Sequence, residues 1–270
     1  MKNKTICEHF SNLIFKCKCM CKPIPKKIFD SENLYHFTKY DSALKILLSQ
    51  TLLFGKCSEM NDINESIKIF CHTNLSKNDS AERNKIIELE NYQQLSFTMD
   101  IDQTQRGFEL SSMWGYYAEK GLGACLVFDK EILLNSLNGK EYTHKKIEYT
   151  NDVSQWKSID ENLDDIFFKK FPDWKHENEY RIILKTKSKD NEKICIRRSL
   201  KAIIVIRDDN GFPFKNSNEY IYMDNILAFS KLNIPIFTYG SFCDEYILKS
   251  TNTDEKYTKY LGWQESFISS

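Results

Sequence analysis

Glu177-Asn178-Glu179-Tyr180-Arg181-Ile182, running on through Ile183-Leu184-Lys185, reads as a strand whose faces alternate with period two. Glu177, Glu179 and Arg181 then share one face, and Tyr180 and Ile182 take the other. Two like charges on one face repel by roughly a kcal/mol in a partly solvated site, and Arg181 beside them offsets part of that. Two outcomes suit the pattern. One is a solvent-facing edge strand carrying an ion pair. The other is a carboxylate pair of which one member meets a developing positive charge, as glycosidic-bond chemistry requires.

Two upstream stretches carry the same alternation. In Tyr35-His36-Phe37-Thr38, His36 and Thr38 share a face, and in Leu95-Ser96-Phe97-Thr98, Ser96 and Thr98 do. Burying hydroxyls, an imidazole and two carboxylates on a sheet costs several kcal/mol unless they bond one another or a ligand, so a polar cleft is expected. Residues 111–118 add aromatics: Trp114 and Tyr117, three apart on a helix, face the same way. Such a pair grips a flat ring or belongs to the core.

Around these stretches the pattern is mixed. Strands are expected at 34–38, 52–54, 92–99, 124–128, 145–149, 179–185, 201–206 and 234–239. Helices are expected after a cap at Asp41 or Ser42, with Leu44, Leu47 and Leu48 on one face, at 110–119, and at 162–171 up to Pro172. Residues 58–62 and 100–107 read as polar turns, and 76–90 as an exposed loop and helix. The fold class is α+β. Residues 28–270 form one domain behind a basic appendage, residues 1–27, in which seven lysines face one acid, Glu8. That appendage either contacts a surface or a nucleic acid, or docks as a short amphipathic helix with solvated lysines.

Composition narrows the classes. Of 270 residues 41% are hydrophobic and 28% charged, which excludes wholesale disorder and low-complexity scaffolding. The 38 basic and 38 acidic side chains cancel, so no global field advertises a polyanionic partner. The longest apolar runs, such as 202–206, are too short to span a bilayer, and no secretory signal is expected at the start. Nine cysteines, an odd number, with Cys125 and Cys195 alone in apolar runs, suit buried thiols in a reducing cytoplasm. Cys17, Cys19 and Cys21 recur every second residue, unlike a zinc knuckle, and no metal is expected there.

Taken in order, Leu34-Tyr35-His36-Phe37-Thr38, Leu52-Leu53-Phe54, Met60-Asn61-Asp62, Ser96-Phe97-Thr98, Met113-Trp114-Gly115-Tyr116-Tyr117-Ala118 with Gly123-Ala124-Cys125-Leu126-Val127-Phe128, and Glu177-Asn178-Glu179-Tyr180-Arg181 resemble a bacterial family of unknown function. That family is grouped with ADP-ribosyltransferase-like proteins. The resemblance spans about residues 33–206. It implies split antiparallel sheets with flanking helices and NAD bound as co-substrate between them. It also implies roles. Glu179 would be the catalytic carboxylate, and Glu177 would orient the acceptor or a water. His36 and Thr38 would hold a ribose, Ser96 and Thr98 would line the floor, and Trp114 or Tyr117 would stack on nicotinamide. Arg181 would complete the cofactor-binding set. The expected activity is transfer of ADP-ribose to an acceptor the sequence does not identify. Hydrolysis of NAD in the same cleft and a non-catalytic binding module are the alternatives. A sugar or nucleic-acid hydrolase fits less well, because carboxyls two apart on a strand sit roughly 6 to 7 Å apart.

Overall fold

A computed structural model describes residues 31–57, 91–102, 105–151, 167–206, 234–242, 245–250 and 258–260. The strand order follows from which segments are apolar on both faces. β1 (Asn33–Thr38), β5 (Ala124–Asp129) and β11 (Leu200–Ile206) lie side by side, β5 in the middle and antiparallel to both. Leu34, Leu126, Phe128, Ile203 and Val205 point to one side, and Tyr35, Phe37, Cys125, Val127, Ala202 and Ile204 to the other. Covered on both faces, these strands read as near-continuous apolar runs.

The first side is packed by α1 (Tyr40–Ser49), through Ala43 and Leu47, and by Leu133 of α3 (Lys130–Asn135). The second is packed by Met113 and Trp114 of α2 (Ser111–Tyr117). The start of α1 departs from expectation. Lys39 is its N-cap and makes no side-chain cap, and the Glu119 carboxylate accepts from the Tyr40 N–H at 3.1 Å. Leu48 is 52% exposed rather than facing the core with Leu44 and Leu47. Asp129 caps α3 by accepting from Ile132 N–H at 3.0 Å.

Beyond β11 the sheet continues through β12 (Ile236–Phe242), β13 (Glu245–Ser250) and β14 (Thr258–Tyr260). The β11–β12 pair is parallel, so the sheet is mixed rather than wholly antiparallel. On the other flank β4 (Tyr92–Thr98) is followed by β9 (Glu179–Lys185) and β6 (Glu141–Lys146), all antiparallel. The expected strand at 145–149 divides into the end of β6 and β7 (Glu148–Tyr149). β8 (Lys169–Lys170) pairs with β7 where the end of a helix was expected; residues 162–166 lie outside the described set. β2 (Thr51–Leu53) pairs with β10 (Lys193–Cys195), on which Cys195 is exposed while Ile194 is buried. The basic segment 1–27, its cysteines, and the turns at 58–62 and 76–90 also lie outside the described residues.

One junction positions the site. β1 aligns with β4 through Tyr35↔Thr98 alone. The opposite end of the same edge of β4 is taken by β3 (Gly55–Lys56), at Gln93 and Gln94. Leu95, Ser96 and Phe97 therefore have no aligned strand partner on that side among the described residues, and the sheet parts between β1 and β4.

Candidate active site

A cleft of about 270 Å³ opens where the sheet parts. Residues 35–37 of β1 and 94–98 of β4 form two walls. Met113 and Tyr117 of α2, Lys170 of β8, and Trp174, Glu177 and Glu179 close the rest.

Register decides which side chains meet. Tyr35 is opposite Thr98, and Thr98 is opposite Glu179, so these three lie in one row on one face, with Ser96 and Arg181 forming a row beside them. His36 is one residue out of that row and projects to the reverse face, where its ring meets Phe97 at 5.8 Å between centroids. It still lines the cleft because the strands have parted, and its Nδ1–H donates across the gap to the Ser96 carbonyl at 3.4 Å. Burial pushes its pKa down, against the opposing pull of that hydrogen bond. His36 is thus a neutral ring with Nε2 left as an acceptor. Thr38, on the same face as His36, is buried beside Ala124 and does not line the cleft.

The two glutamates arrive differently from the strand reading. Only Glu179 is on β9. Glu177 ends a 3-10 turn, Pro172–Glu177, and Asn178 between them takes the left-handed conformation, φ 44 and ψ 50. Asparagine tolerates that region, and its side chain is tied down by donating to the Met99 and Asp100 carbonyls at 2.9 and 3.1 Å. The turn, not strand alternation, swings Glu177 onto the side of Glu179.

Both carboxylates then converge on one ammonium group. Lys170 Nζ lies 2.9 Å from Glu177 Oε2 and 2.9 Å from Glu179 Oε2, and all three side chains are buried. Arg181 grips Glu179 with a fork, Nε to Oε1 at 2.8 Å and Nη2 to Oε2 at 2.9 Å, while its Nη1 donates to the Phe167 carbonyl at 2.7 Å. The Ser96 hydroxyl also bonds to Glu179. Burial alone would raise the Glu179 pKa, but Arg181, Lys170 and these hydrogen bonds outweigh it and hold the carboxyl down to about 2. Glu179 is accordingly ionised though only 3% exposed. Its backbone N–H donates to the Tyr149 hydroxyl at 2.9 Å. Glu177 accepts a short hydrogen bond from the Tyr117 hydroxyl.

Of the residues expected to form the site, His36, Ser96, Thr98, Tyr117, Glu177 and Glu179 line the cleft. Trp114 does not. Its indole N–H donates to the Phe108 carbonyl at 2.7 Å and its ring meets Phe37 edge-on at 5.1 Å, so it belongs to the core behind α2. Arg181 stands behind Glu179 and holds it rather than facing the cleft. The sequence reading missed Lys170 and Trp174. Trp174 lines the cleft with Lys170 Nζ 4.9 Å from its ring centroid. A tryptophan three residues before the Glu-x-Glu run was a visible signal; the lysine had none. Thr98 Oγ1 is buried and makes no hydrogen bond.

Among the described residues no group of His, Cys, Asp and Glu is placed to hold a metal, and no helix is long and apolar enough to cross a membrane. No curated protein and no solved structure matches the chain significantly. Residues 113–182, from the start of the Met-Trp-Gly-Tyr-Tyr-Ala helix to just past Glu-Asn-Glu-Tyr-Arg, are similar to a family described as "Protein of unknown function (DUF2971)".

Proposed function

We propose that this chain is an NAD-dependent ADP-ribosyltransferase with an ADP-ribosyltransferase-like fold, cleaving the nicotinamide–ribose bond and passing ADP-ribose to an acceptor. One observation carries the reading: an ionised carboxylate, Glu179, is buried at the floor of a cleft with flat aromatic walls, where strands β1 and β4 part.

The walls suit the nicotinamide riboside half of the dinucleotide. At about 270 Å³ the cleft sits just below the ~300–1,000 Å³ of sites that enclose a drug-sized ligand, so the adenosine half would extend past the mouth. The Trp174 face already carries a cation, Lys170, and can attract a pyridinium ring in the same way. Neutral His36 offers an acceptor to a ribose hydroxyl, and the unpartnered Thr98 hydroxyl can bond a polar ring edge or sugar oxygen. Nicotinamide departs neutral, carrying the electron pair of the broken bond. The demand is therefore on the sugar, which becomes cationic. Glu179 supplies fixed negative charge there, an electrostatic effect typically worth about 3 kcal/mol, or roughly 100-fold in rate. Glu177, beside Tyr117, would accept the proton released by the incoming nucleophile. If that nucleophile is water, the same cleft makes an NAD glycohydrolase.

A second reading is favoured by the saturation of Glu179. Arg181 fills two of its acceptor positions, and Lys170 and Ser96 the others. A cleft so tied can hold a nucleotide without cleaving it. Labelled NAD separates these cases, with free nicotinamide and label on lysate macromolecules followed together. Wild-type protein should release nicotinamide, and Glu179→Gln should bind NAD while releasing at least 100-fold less. Unchanged turnover in Glu179→Gln would remove it from the chemistry, and binding without release in the wild type would establish the binding module.

A further inference from the structure

We infer that a second cavity, behind α2, binds a free α-amino acid with a large apolar side chain. Met113 and Tyr117 of α2 face the cleft, whereas Trp114 and Gly115 face this cavity. It measures about 380 Å³, within the ~300–1,000 Å³ of small-molecule sites. Trp114, Ile206 at the end of β11 and Tyr239 of β12 form its apolar part. Gly115 opens one wall. A glycine inside a helix is destabilising relative to alanine, yet a Cβ at Gly115 would meet nothing within 4 Å. Packing within the chain therefore does not require the glycine, and the space it leaves belongs to the cavity.

Two opposite charges border the cavity without meeting. Glu109 Oε2 accepts from the Arg106 N–H at 2.7 Å, and Oε1 takes no hydrogen bond among the described residues. The Lys120 ammonium makes no hydrogen bond or ion pair among the described residues. Burial pushes the Glu109 carboxyl up, against the opposing pull of the Arg106 hydrogen bond and charge, so this carboxylate is short of a cation. Lys120 is presented by a constrained turn: Glu119 and Lys120 both take left-handed conformations, φ 49 and 58, that such residues seldom adopt. Glu119 pins the turn by accepting from the Tyr40 N–H. Backbone held this way is characteristic of ligand clamps. A zwitterion supplies both missing partners in one molecule, its ammonium to Glu109 and its carboxylate to Lys120. Its apolar side chain would lie on Trp114, Ile206 and Tyr239.

This site does not rest on the NAD reading, and its test measures binding without turnover. In calorimetry of the full chain, L-phenylalanine should bind. Phenethylamine and 3-phenylpropionate, each lacking one of its charges, should bind about 10- to 100-fold more weakly. Lys120→Gly, which also suits the left-handed backbone, should lose the same factor for L-phenylalanine and leave phenethylamine unchanged. Gly115→Leu, which fills the cavity, should abolish binding while melting at or above the wild-type temperature. No saturable heat from L-phenylalanine would overturn the inference, and so would equal affinity for the three probes. Binding that survives Lys120→Gly unchanged would overturn it as well, by placing the ligand elsewhere.

Discussion

Replacing Glu179 by glutamine keeps the shape of the side chain and removes one charge from a buried group of four. The consequence for stability can be worked from the contacts. Lys170 keeps a counter-ion, because Glu177 lies 2.9 Å away. Arg181 is buried and forks onto Glu179, while its Nη1 donates to the Phe167 carbonyl. The substitution therefore breaks a buried ion pair, a loss of about 3–5 kcal/mol. Proton linkage gives a second route. Glu179 titrates near 4.5 when unfolded and at about 2 when folded, a difference worth roughly 3 kcal/mol at about 1.4 kcal/mol per unit. The sign is set by the depressed folded value. The unfolded chain binds the extra proton between these limits, so the contribution is fully present above pH 4.5 and is lost as pH falls toward 2. Thermal and urea melts at pH 7 should show Glu179→Gln lower by about 3–5 kcal/mol, near 10 °C in melting temperature for a chain of this size. Between pH 4.5 and 2 the variant should lose less stability than wild type. Glu179→Leu combined with Arg181→Met should recover much of the deficit, since a packed apolar pair often replaces a buried ion pair without loss. A melting temperature within 2 °C of wild type would refute the buried clamp.

Thr98→Val exchanges a buried hydroxyl that makes no hydrogen bond for a methyl group; stability should be unchanged or up by about 1 kcal/mol, while NAD affinity by calorimetry should fall at least several-fold. Trp114→Phe removes the bond to the Phe108 carbonyl and should cost about 1–2 kcal/mol in a urea melt, with ligand binding intact because the ring lies outside the cleft. Gly123→Ala would set a Cβ 2.2 Å from the Thr38 carbonyl oxygen and 3.0 Å from Ala118 backbone; neither neighbour is a flexible side chain, so destabilisation of about 3 kcal/mol is expected in the same melt.

Alternation made β5 and β9 legible, because each is apolar on one face over its whole length, and it showed in β1 and β4 through Tyr35 and Phe37 and through Leu95 and Phe97. It could not give the rotation of β1 relative to β4. That depends on one aligned pair, Tyr35↔Thr98, and it puts His36 and Thr38 on the face opposite Ser96, Thr98 and Glu179. Glu177 looked like a strand residue because only one position separates it from Glu179. Pro172 and Asn178, good residues for opening and closing a tight turn, were the competing signal. Trp114 and Tyr117 share a helix face only in part: α2 lies at the edge of the core, so one ring is buried and the other, three residues on, reaches the cleft. Lys170 was invisible because its partners come from a turn seven residues away and a strand nine residues away, and no periodicity links them.

The charges of the cluster also say which contact can yield when a ligand enters. Glu177 and Glu179 balance Lys170 and Arg181, so a ligand hydroxyl can reach Glu179 only by taking the position of a donor already there. Arg181 cannot step aside: its fork occupies both oxygens and its remaining nitrogen is fixed to the Phe167 carbonyl. Lys170 can, because withdrawing from Glu179 Oε2 leaves it paired with Glu177 and over the Trp174 ring. Ser96 can as well, since its hydroxyl already accepts from Gln94 Nε2 at 3.2 Å and needs only to turn its own proton elsewhere. Either exchange opens one acceptor position on Glu179 without leaving a buried ion uncompensated, the situation that would cost most. Arg181 is thus the positioning residue that keeps the carboxylate ionised and aimed, and Lys170 is the group whose small displacement would let that carboxylate meet a sugar.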